Sequence, residues 1–275
     1  MSTTKQSYEE SLGQKVVAKE ICSGCTACIL VCPFGCLEYF EEKPHLIKKC
    51  EICGICPKTC PRLDFPQAAL EKLTFERERL PTEDFGVYKR LAIAQATDPR
   101  ILRTCQDGGV VTALLTHAMN KGLIDSAVVS TTNPEKPWVP VPKLATTPQE
   151  VLESAGTKYT YSPNLLALQE AVKQKKKAVA FVSTPCQIQS IRKIEAFPLK
   201  KYSGIIKFAI GLMCTESFTY AGLMQKYVQQ VLGMNLNDVK KINIKGKVLV
   251  TAKSGEVKMI SLQEAKQYTR KGCLP

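Results

Sequence analysis

Several features of common protein classes are missing from this chain. No apolar run in its 275 residues approaches the roughly 18 to 20 residues that a membrane-spanning helix needs. The N-terminal stretch has no apolar core like that of a signal peptide. Neither a G-x-G-x-x-G nor a P-loop motif occurs, so a standard Rossmann or NTPase site is not expected. We therefore predict a soluble, cytoplasmic protein without a transmembrane segment.

Cysteine, by contrast, is abundant. The chain has 13 cysteines, and nine of them lie between Cys22 and Cys60. Disulfide scaffolds are usually shorter, secreted and richer in cysteine. The odd count, the tight clustering and the intracellular context favour metal binding over disulfides.

The clustered cysteines contain two copies of one motif. Residues 22–33 and 50–61 both read C-x2-C-x2-C-x3-C-P, the run that holds [4Fe–4S] clusters in bacterial two-cluster ferredoxins. The loop that contains the first three cysteines of a run surrounds one cluster. The proline after the fourth cysteine turns the chain away, so the fourth thiolate binds the other cluster. We assign one cluster to Cys22, Cys25, Cys28 and Cys60, and the other to Cys50, Cys53, Cys56 and Cys32.

A pair of zinc sites is the alternative to these two clusters. Zinc favours two C-x2-C pairs with a longer separation, so two complete runs with their prolines favour iron–sulfur. Cys36 falls outside the pattern and is interpreted as a packed thiol. The repeat predicts an α+β, ferredoxin-like two-cluster head over residues 1–66, followed by a charged linker over 67–86.

Residues 87–275 predict an α/β domain with a mixed sheet, because strand-like apolar stretches alternate with helical ones. The helix over 110–121 has an apolar stripe of Val111, Leu114, Leu115 and Ala118. A capping box over Thr147–Glu150 starts a second helix, and Ser162-Pro163 starts a third. Strands are predicted at 91–97, 126–130, 178–184 and 205–213, a helix at 218–232 and a hairpin around Ser254-Gly255. The runs at 178–184 and 205–213 are expected to be buried on both faces.

Three loops of this domain follow apolar segments and are candidate ligand sites. In the first, Gln106-Asp107-Gly108-Gly109, the paired glycines allow close approach to a helix N-terminus, which favours phosphate; a plain turn with an Asp cap is the alternative. The second, over 155–159, contains Gly156, Thr157 and Lys158. The third, over 183–187, contains Thr184, Pro185 and Gln187 and leaves a central strand, where ligands of α/β sheets gather.

The isolated cysteines suggest one more metal site. Cys186 and Cys214 each follow a predicted strand, and Cys273 lies in the segment Lys271–Pro275. Each alone reads as a buried core thiol, but together they predict three ligands of a third [4Fe–4S] cluster, which normally takes four. Cys105 is left as a packing residue.

These residues resemble the family of beta subunits of coenzyme F420 hydrogenases and dehydrogenases. The resemblance covers residues 87–275 in the family's order and is carried by Asp107-Gly108-Gly109, Gly156–Tyr159, Pro185–Gln187 with Ile191–Lys193, Cys214 and Gly272-Cys273. It implies an FAD-binding domain that exchanges hydride with F420, and a nearby [4Fe–4S] cluster held by Cys186, Cys214 and Cys273. The FAD-binding residues are then expected in the three loops. Lys158 is the candidate for a positive charge near the flavin ring or near a phosphate.

The ferredoxin head together with this domain resembles the electron-input subunits of F420 dehydrogenase complexes or of F420-dependent sulfite reductase. A redox partner subunit is therefore expected, such as a hydrogenase, a membrane dehydrogenase or a sulfite reductase. Binding to a membrane dehydrogenase would place this chain at the periphery of the membrane. Family members continue beyond residue 275 and carry a fourth cluster cysteine there, so the resemblance implies a truncated chain. The alternatives are a ferredoxin-dependent reductase like 7-hydroxymethyl chlorophyll reductase and a non-catalytic electron-transfer module.

The formal charge of +13 describes the protein without its cofactors. Each cluster with its thiolates carries about −2, so two or three clusters and a flavin lower the total to roughly +5 to +7. The remaining excess suits polyanionic F420 and acidic partners. The basic run at 173–177 follows a helix, where cations favour the dipole. Without aromatic interleaving it does not predict nucleic-acid binding.

Overall fold

A mixed α/β architecture with three sheets is confirmed by a computed structural model, which describes residues 5–273. The last two residues of the predicted segment Lys271–Pro275 lie outside the described residues, as do residues 1–4. Within the described part, no helix is long and apolar enough to cross a membrane.

The central sheet has four strands in the order β4-β3-β5-β6. They are β3 (Ser126–Thr132), β4 (Pro140–Ala145), β5 (Val179–Ser183) and β6 (Ile206–Gly211). β5 runs parallel to both β3 and β6, while β4 runs antiparallel to β3. The predicted mixed sheet is therefore present. Because β5 and β6 are parallel, their carboxyl ends lie at the same edge, and Cys186 and Cys214 both follow that edge.

Short helices surround this sheet and connect its strands. They are α3 (Gln67–Phe75), α4 (Pro99–Thr104), α5 (Val110–Asn120), α6 (Pro148–Glu153), α7 (Leu165–Lys173), α8 (Pro185–Ala196) and α9 (Lys200–Ser203). The start of α6 carries the predicted proline at the first helical position, with Thr147 as its cap. Prolines also begin α4 and α8, where none was predicted.

A smaller antiparallel sheet forms a second layer, with β7 (Val239–Ile244), β8 (Lys247–Ala252) and β9 (Val257–Ser261) in that order. The hairpin predicted around Ser254-Gly255 is the β8–β9 pair. A π-helix, Ala221–Val231, lies in the same core through Leu223, Met224 and Val228. The short helix α10 (Leu262–Lys266) then leads to the turn Lys271–Cys273.

The cysteine-rich head consists of a π-helix, Glu9–Val17, two short helices and one hairpin. The helices are α1 (Ala27–Leu30) and α2 (Ile55–Thr59), and the hairpin pairs β1 (Leu37–Phe40) with β2 (Lys43–Leu46). Both helices begin after a residue in the left-handed region, Thr26 at φ 65° and Gly54 at φ 72°. The two cysteine runs thus fold alike.

The head and the central sheet share one hydrophobic core. Leu30 of the head packs in the same buried cluster as Leu165, Phe181 and Ile191, all at most 1% exposed. The hydroxyl of Tyr202 donates to the Leu30 carbonyl at 2.6 Å. This packing fixes the cysteine runs against one face of α7 and α8.

The predicted strand over 91–97 is wrong. Residues 91–98 form no regular element, and Leu91 and Ile93 are largely exposed. Ala96 donates one main-chain hydrogen bond to the Gly108 carbonyl, but no strand of the described chain pairs with the segment. An apolar run forms a strand only where a neighbour satisfies its main chain, and this one has none.

Four smaller expectations also differ from the structure. β6 is an edge strand and is half-exposed rather than buried on both faces, because only β5 pairs with it. Leu114 points outward from α5, although Leu115 and Ala118 are buried as predicted. The carboxylate of Glu150 accepts from the Thr146 N–H and not from the Thr147 N–H, so the capping box is incomplete. The helix predicted from Ser162-Pro163 begins at Leu165.

Candidate functional site: three groups of cysteines

Five cysteines line a cavity of the head, which we call the outer cavity. Four of them are the proposed ligands Cys32, Cys50, Cys53 and Cys56, the fifth is the buried Cys36, and the empty space is about 350 Å³, part of it open to solvent. The exposure of the four proposed ligands differs. Three of these thiols are half-buried and only Cys56 is buried. The main-chain N–H of Tyr8 donates to Cys50 Sγ at 3.3 Å, and that of Cys36 donates to Cys32 Sγ at 3.3 Å.

A second set of four cysteines lines another cavity of the head, which we call the inner cavity. They are Cys22, Cys25, Cys28 and Cys60, around an empty space of about 350 Å³, part of it open to solvent. Here only Cys22 is half-buried and the other three are buried. The Ser190 hydroxyl of α8 donates to Cys25 Sγ at 3.3 Å. Each cavity thus contains three thiols of one run and the fourth of the other.

The electrostatics of both cavities favour a cationic ligand. Burial, followed by the charges of Cys60 and Cys186, raises the pKa of Cys25 to about 12. Burial, with Cys53 and Cys50 nearby, raises the pKa of Cys56 to about 12. Such thiols ionise only when positive charge replaces the lost water and offsets their mutual repulsion. Iron ions supply that charge, so the donor set fits an iron–sulfur cluster.

The cysteines of each cavity are grouped by the lining that they share. Among residues 5–273, no three histidine, cysteine or carboxylate side chains are close enough together to hold one metal ion.

Cys186, Cys214 and Cys273 form a third group at the edge of the central sheet. Burial, then the charges of Cys186 and Cys273, raises the pKa of Cys214 to about 11, which indicates how near the three thiols are. Cys186 Sγ lies 3.4 Å from the Thr184 hydroxyl and 3.5 Å from the Tyr161 hydroxyl. Since β5 and β6 are parallel, their ends deliver Cys186 and Cys214 to one place.

The inner cavity adjoins both other groups. The helix α1, which contains Cys28, packs against α2, which contains Cys56 of the outer cavity. The Ser190 hydroxyl contacts Cys25 Sγ of the inner cavity and the main-chain carbonyl of Cys186 of the third group. The inner cavity therefore lies between the other two groups.

Two buried cations of the larger region reach the inner cavity. Lys193 of α8 donates to the main-chain carbonyls of Cys60, Leu63 and Asp64 at 2.7, 2.5 and 3.1 Å. Arg270 donates to the Ser23 carbonyl at 2.8 Å and pairs with the Glu42 carboxylate at 2.7 Å. Its guanidinium lies 4.2 Å from the ring centre of Tyr161.

The first two candidate loops lie together, away from both cavities. The side-chain amide of Gln106 donates to Asn243 Oδ1, to the Ile242 carbonyl at 3.3 Å and to Tyr159 Oη at 3.4 Å. A Cβ on Gly109 would lie 2.6 Å from the Ile101 side chain, so packing within the protein already requires that glycine. Asp107 and Thr157 are exposed, and Gly108 and Gly156 are half-buried.

Lys158 and Gln187 are engaged inside the protein. Burial lowers the pKa of Lys158 to about 8, and its ammonium donates to the carbonyls of Ser154, Ala155 and Gly156 at 2.5, 3.2 and 3.0 Å. The Gln187 amide bonds the Ser162 carbonyl and the Leu165 N–H at 2.8 and 3.1 Å. Thr184 contacts Cys186, and Pro185 is exposed. The third loop therefore belongs beside the third cysteine group.

Sequence reasoning assigned no role to Ser190, Lys193, Tyr161 and Arg270, all of which contact the cysteine groups. One signal could have found two of them. Cys186, Ser190 and Lys193 recur at i, i+4 and i+7 on α8, a single face on which serine and lysine would otherwise be out of place in a core. Nothing comparable marks Arg270, whose neighbour Ser23 lies 247 positions away in the sequence.

Two family models match the chain, and both describe the beta subunit of "Coenzyme F420 hydrogenase/dehydrogenase". The model of the N-terminal part of that subunit matches residues 91–169. The model of its C-terminal part matches residues 176–274. Neither match includes the cysteine-rich head.

Several curated proteins are similar to the chain. The coenzyme F420 hydrogenase subunit beta of Methanococcus voltae is 40% identical over 191 residues, which are 69% of this chain and 68% of that protein. An F(420)H(2) dehydrogenase subunit of Methanosarcina mazei is 32% identical over 273 residues, or 94% of this chain and 72% of that protein. The coenzyme F420-dependent sulfite reductase of Methanocaldococcus jannaschii is 33% identical over 273 residues, which are 94% of this chain and 40% of that protein.

A solved structure is similar as well. A chain of the F420-reducing [NiFe] hydrogenase complex from Methanosarcina barkeri superposes with a TM-score of 0.62 at 36% identity. The superposition covers 65% of this chain and 62% of that one. The chain thus spans less than two thirds of the length of this structural relative.

Proposed function

The chain belongs to the family of coenzyme F420 hydrogenase/dehydrogenase beta subunits, and on that premise we propose that it is an electron-input subunit. It would take electrons from reduced F420, or return them, and pass them singly through iron–sulfur clusters. Its relatives are subunits of F420-linked redox complexes, which supports a redox role for this chain.

The observation that carries the proposal is the order of the three cysteine groups. Each cavity draws three thiols from one run and one from the other, and the third group lies beyond the inner cavity. We propose [4Fe–4S] clusters in the outer cavity on Cys32, Cys50, Cys53 and Cys56, and in the inner cavity on Cys22, Cys25, Cys28 and Cys60. Cys186, Cys214 and Cys273 would supply three thiolates to a third cluster.

FAD is the second cofactor that we propose. F420 exchanges electron pairs as hydride and clusters pass single electrons, and a bound flavin would supply the chemistry that links the two. Asp107, Gly108, Gly109, Gly156, Thr157, Thr184 and Pro185 are the loop residues with exposed or half-buried surface available to hold it. Gln106, Lys158 and Gln187 would contact it only by leaving their present hydrogen bonds.

The organisation of the chain follows from the same proposal. Residues 1–66 would form the two-cluster ferredoxin domain, 67–86 the linker and 87–275 the flavin-binding domain. The outer cavity opens to solvent beside the exposed ring of Phe34, and we propose that a partner redox subunit docks there. The complex would be cytoplasmic or peripheral on a membrane.

Anaerobic reconstitution of the full chain with iron, sulfide and FAD tests the proposal. We expect at least two four-iron clusters and one flavin per chain, and bleaching of the flavin band by reduced F420. Cys53→Ser should lower the iron content, whereas Cys105→Ser, a buried thiol outside the three groups, should not.

The other outcomes identify the alternatives. Clusters without a flavin would indicate a non-catalytic electron-transfer module. A flavin that is bleached by reduced ferredoxin and not by reduced F420 would indicate a ferredoxin-dependent reductase of the same family. A chain without iron would refute the proposal.

A further inference from the structure

We propose that Lys193 is a positioning residue of the inner cavity, whose buried positive charge raises the reduction potential of the cluster bound there. This inference rests on the proposed function, because it takes the inner cavity to hold a [4Fe–4S] cluster. It concerns a residue of α8, outside the two cysteine runs.

The burial of Lys193 is unusual for a lysine. Its side chain is 5% exposed, and lysines are almost never fully buried unless they are paired. Among residues 5–273, however, Lys193 forms no ion pair with a carboxylate. The ionisable groups that act on it electrostatically are Cys60, Asp64, Lys58 and Cys25.

The surroundings of Lys193 suit a charged ammonium. Its Nζ lies within hydrogen-bond distance of three carbonyls, those of Cys60, Leu63 and Asp64, and an ammonium has three N–H donors to satisfy them. These carbonyls form the turn that follows Cys60, the fourth thiol of the inner cavity. The contact therefore fixes that turn and also places a positive charge beside it.

A cluster in the inner cavity would be the missing countercharge. A cubane with four thiolates is anionic, and each electron that it accepts makes it more so. A buried cation stabilises the reduced form more than the oxidised form and raises the potential, whereas burial alone lowers it. Lys193 would therefore offset the penalty that the burial of Cys25, Cys28 and Cys60 places on reduction.

Two neighbouring cations provide matched comparisons. Arg270 also touches the inner cavity, but it is paired with Glu42 at 2.7 Å, so much of its charge is already balanced. Arg192 precedes Lys193 on α8 and pairs with Glu195 at 2.7 Å, with 30% of its side chain exposed. A charge that is paired or in contact with water should act weakly on the cluster.

The test is a redox titration of the reconstituted full chain, followed by electron paramagnetic resonance, for Lys193→Met, Lys193→Arg and the control Arg192→Gln. In Lys193→Met we expect at least a tenfold fall in the ratio of reduced to oxidised inner cluster at fixed ambient potential. That ratio corresponds to about 59 mV for a one-electron couple. Lys193→Arg and Arg192→Gln should titrate like the wild type, and the outer cluster should not change in any variant.

The other outcomes of the titration test the role of Lys193 and the proposed function separately. If Lys193→Met holds both clusters and titrates like the wild type, the inference is overturned while the proposed function stands. If it loses the inner cluster, Lys193→Arg decides: retention with the wild-type potential supports a role for the charge, and loss shows a structural role only. A wild-type chain without clusters would refute the proposed function and, with it, this inference.

Discussion

The outer and inner cavities are built from the same motif, yet their surroundings differ. Three of the four outer thiols are half-buried, whereas three of the four inner thiols are buried. Head residues line both cavities, but elements of the larger region contact only the lining of the inner one, Ser190 of α8 at Cys25 and the turn at Arg270 at Ser23. The comparison teaches that two copies of one sequence run can acquire different roles from the elements packed against them.

The loss of a whole cluster is the largest effect expected at either cavity. Cys25→Ala should abolish the transfer of electrons from reduced F420 to a protein acceptor, because the inner cavity lies between the other groups. Cys53→Ala should also block electron transfer to the protein acceptor. A small dye should still be reduced, because it can take electrons before they reach the outer cavity. Stopped-flow spectroscopy with both acceptors checks this. If the two variants lose dye reduction to the same extent, the two cavities do not differ in this way.

Removal of iron should distinguish the cavities next. A chelator added to the reconstituted protein should release iron in two phases, because solvent reaches the half-buried outer thiols more readily than the buried inner ones. The fast phase should vanish in Cys53→Ala and the slow phase in Cys25→Ala. Release in a single phase from the wild type would contradict the difference in exposure.

The closure of the inner cavity depends on a glycine. A Cβ at Gly272 would collide with the Cys22 carbonyl, so Gly272→Ala must displace main chain and should destabilise the protein by about 1–3 kcal/mol. Gly211→Ala is the matched control, since its Cβ would lie 3.6 Å from the nearest atom. Thermal unfolding checks the pair, and equal midpoints would show that the turn does not close on Cys22.

The smallest effect is expected at Ser190. Ser190→Ala removes the 3.3 Å hydrogen bond to Cys25 Sγ, so the reduction potential of the inner cluster should fall. The fall should be smaller than in Lys193→Met, because the lost hydroxyl is neutral and no charge is removed. Ser203→Ala, whose hydroxyl bonds only the Leu199 carbonyl at 3.4 Å, should leave it unchanged. A redox titration that puts the shift of Ser190→Ala above that of Lys193→Met would reverse this ranking.

Local patterns in the sequence predicted the parts of the fold that depend on local chemistry. The spacing of the cysteines and the two prolines predicted which thiols share a cavity, because a turn forces the fourth cysteine of each run away from its neighbours. The central strands β3 and β5 and the β8–β9 hairpin were likewise predicted. The ligand roles of these residues remain predictions.

What the sequence could not predict depends on long-range packing. The strand expected at 91–97 failed because a strand needs a neighbour, and an apolar run does not say whether one exists. The role of Arg270 left no signal, because it contacts a main-chain carbonyl, which carries no residue-specific pattern, 247 residues away. The face of α8 marks Lys193 as unusual, but not the Cys60 carbonyl that it contacts 133 residues away.

The contact between Arg270 and Ser23 also sets an order of events during synthesis. The first cysteine loop emerges early, but the turn that closes over it emerges 247 residues later. At roughly 5 to 20 residues per second, the loop stays uncovered on that side for about 10 to 50 s. If the inner cavity holds the proposed cluster, insertion within that interval would precede the contact of Arg270 with the loop.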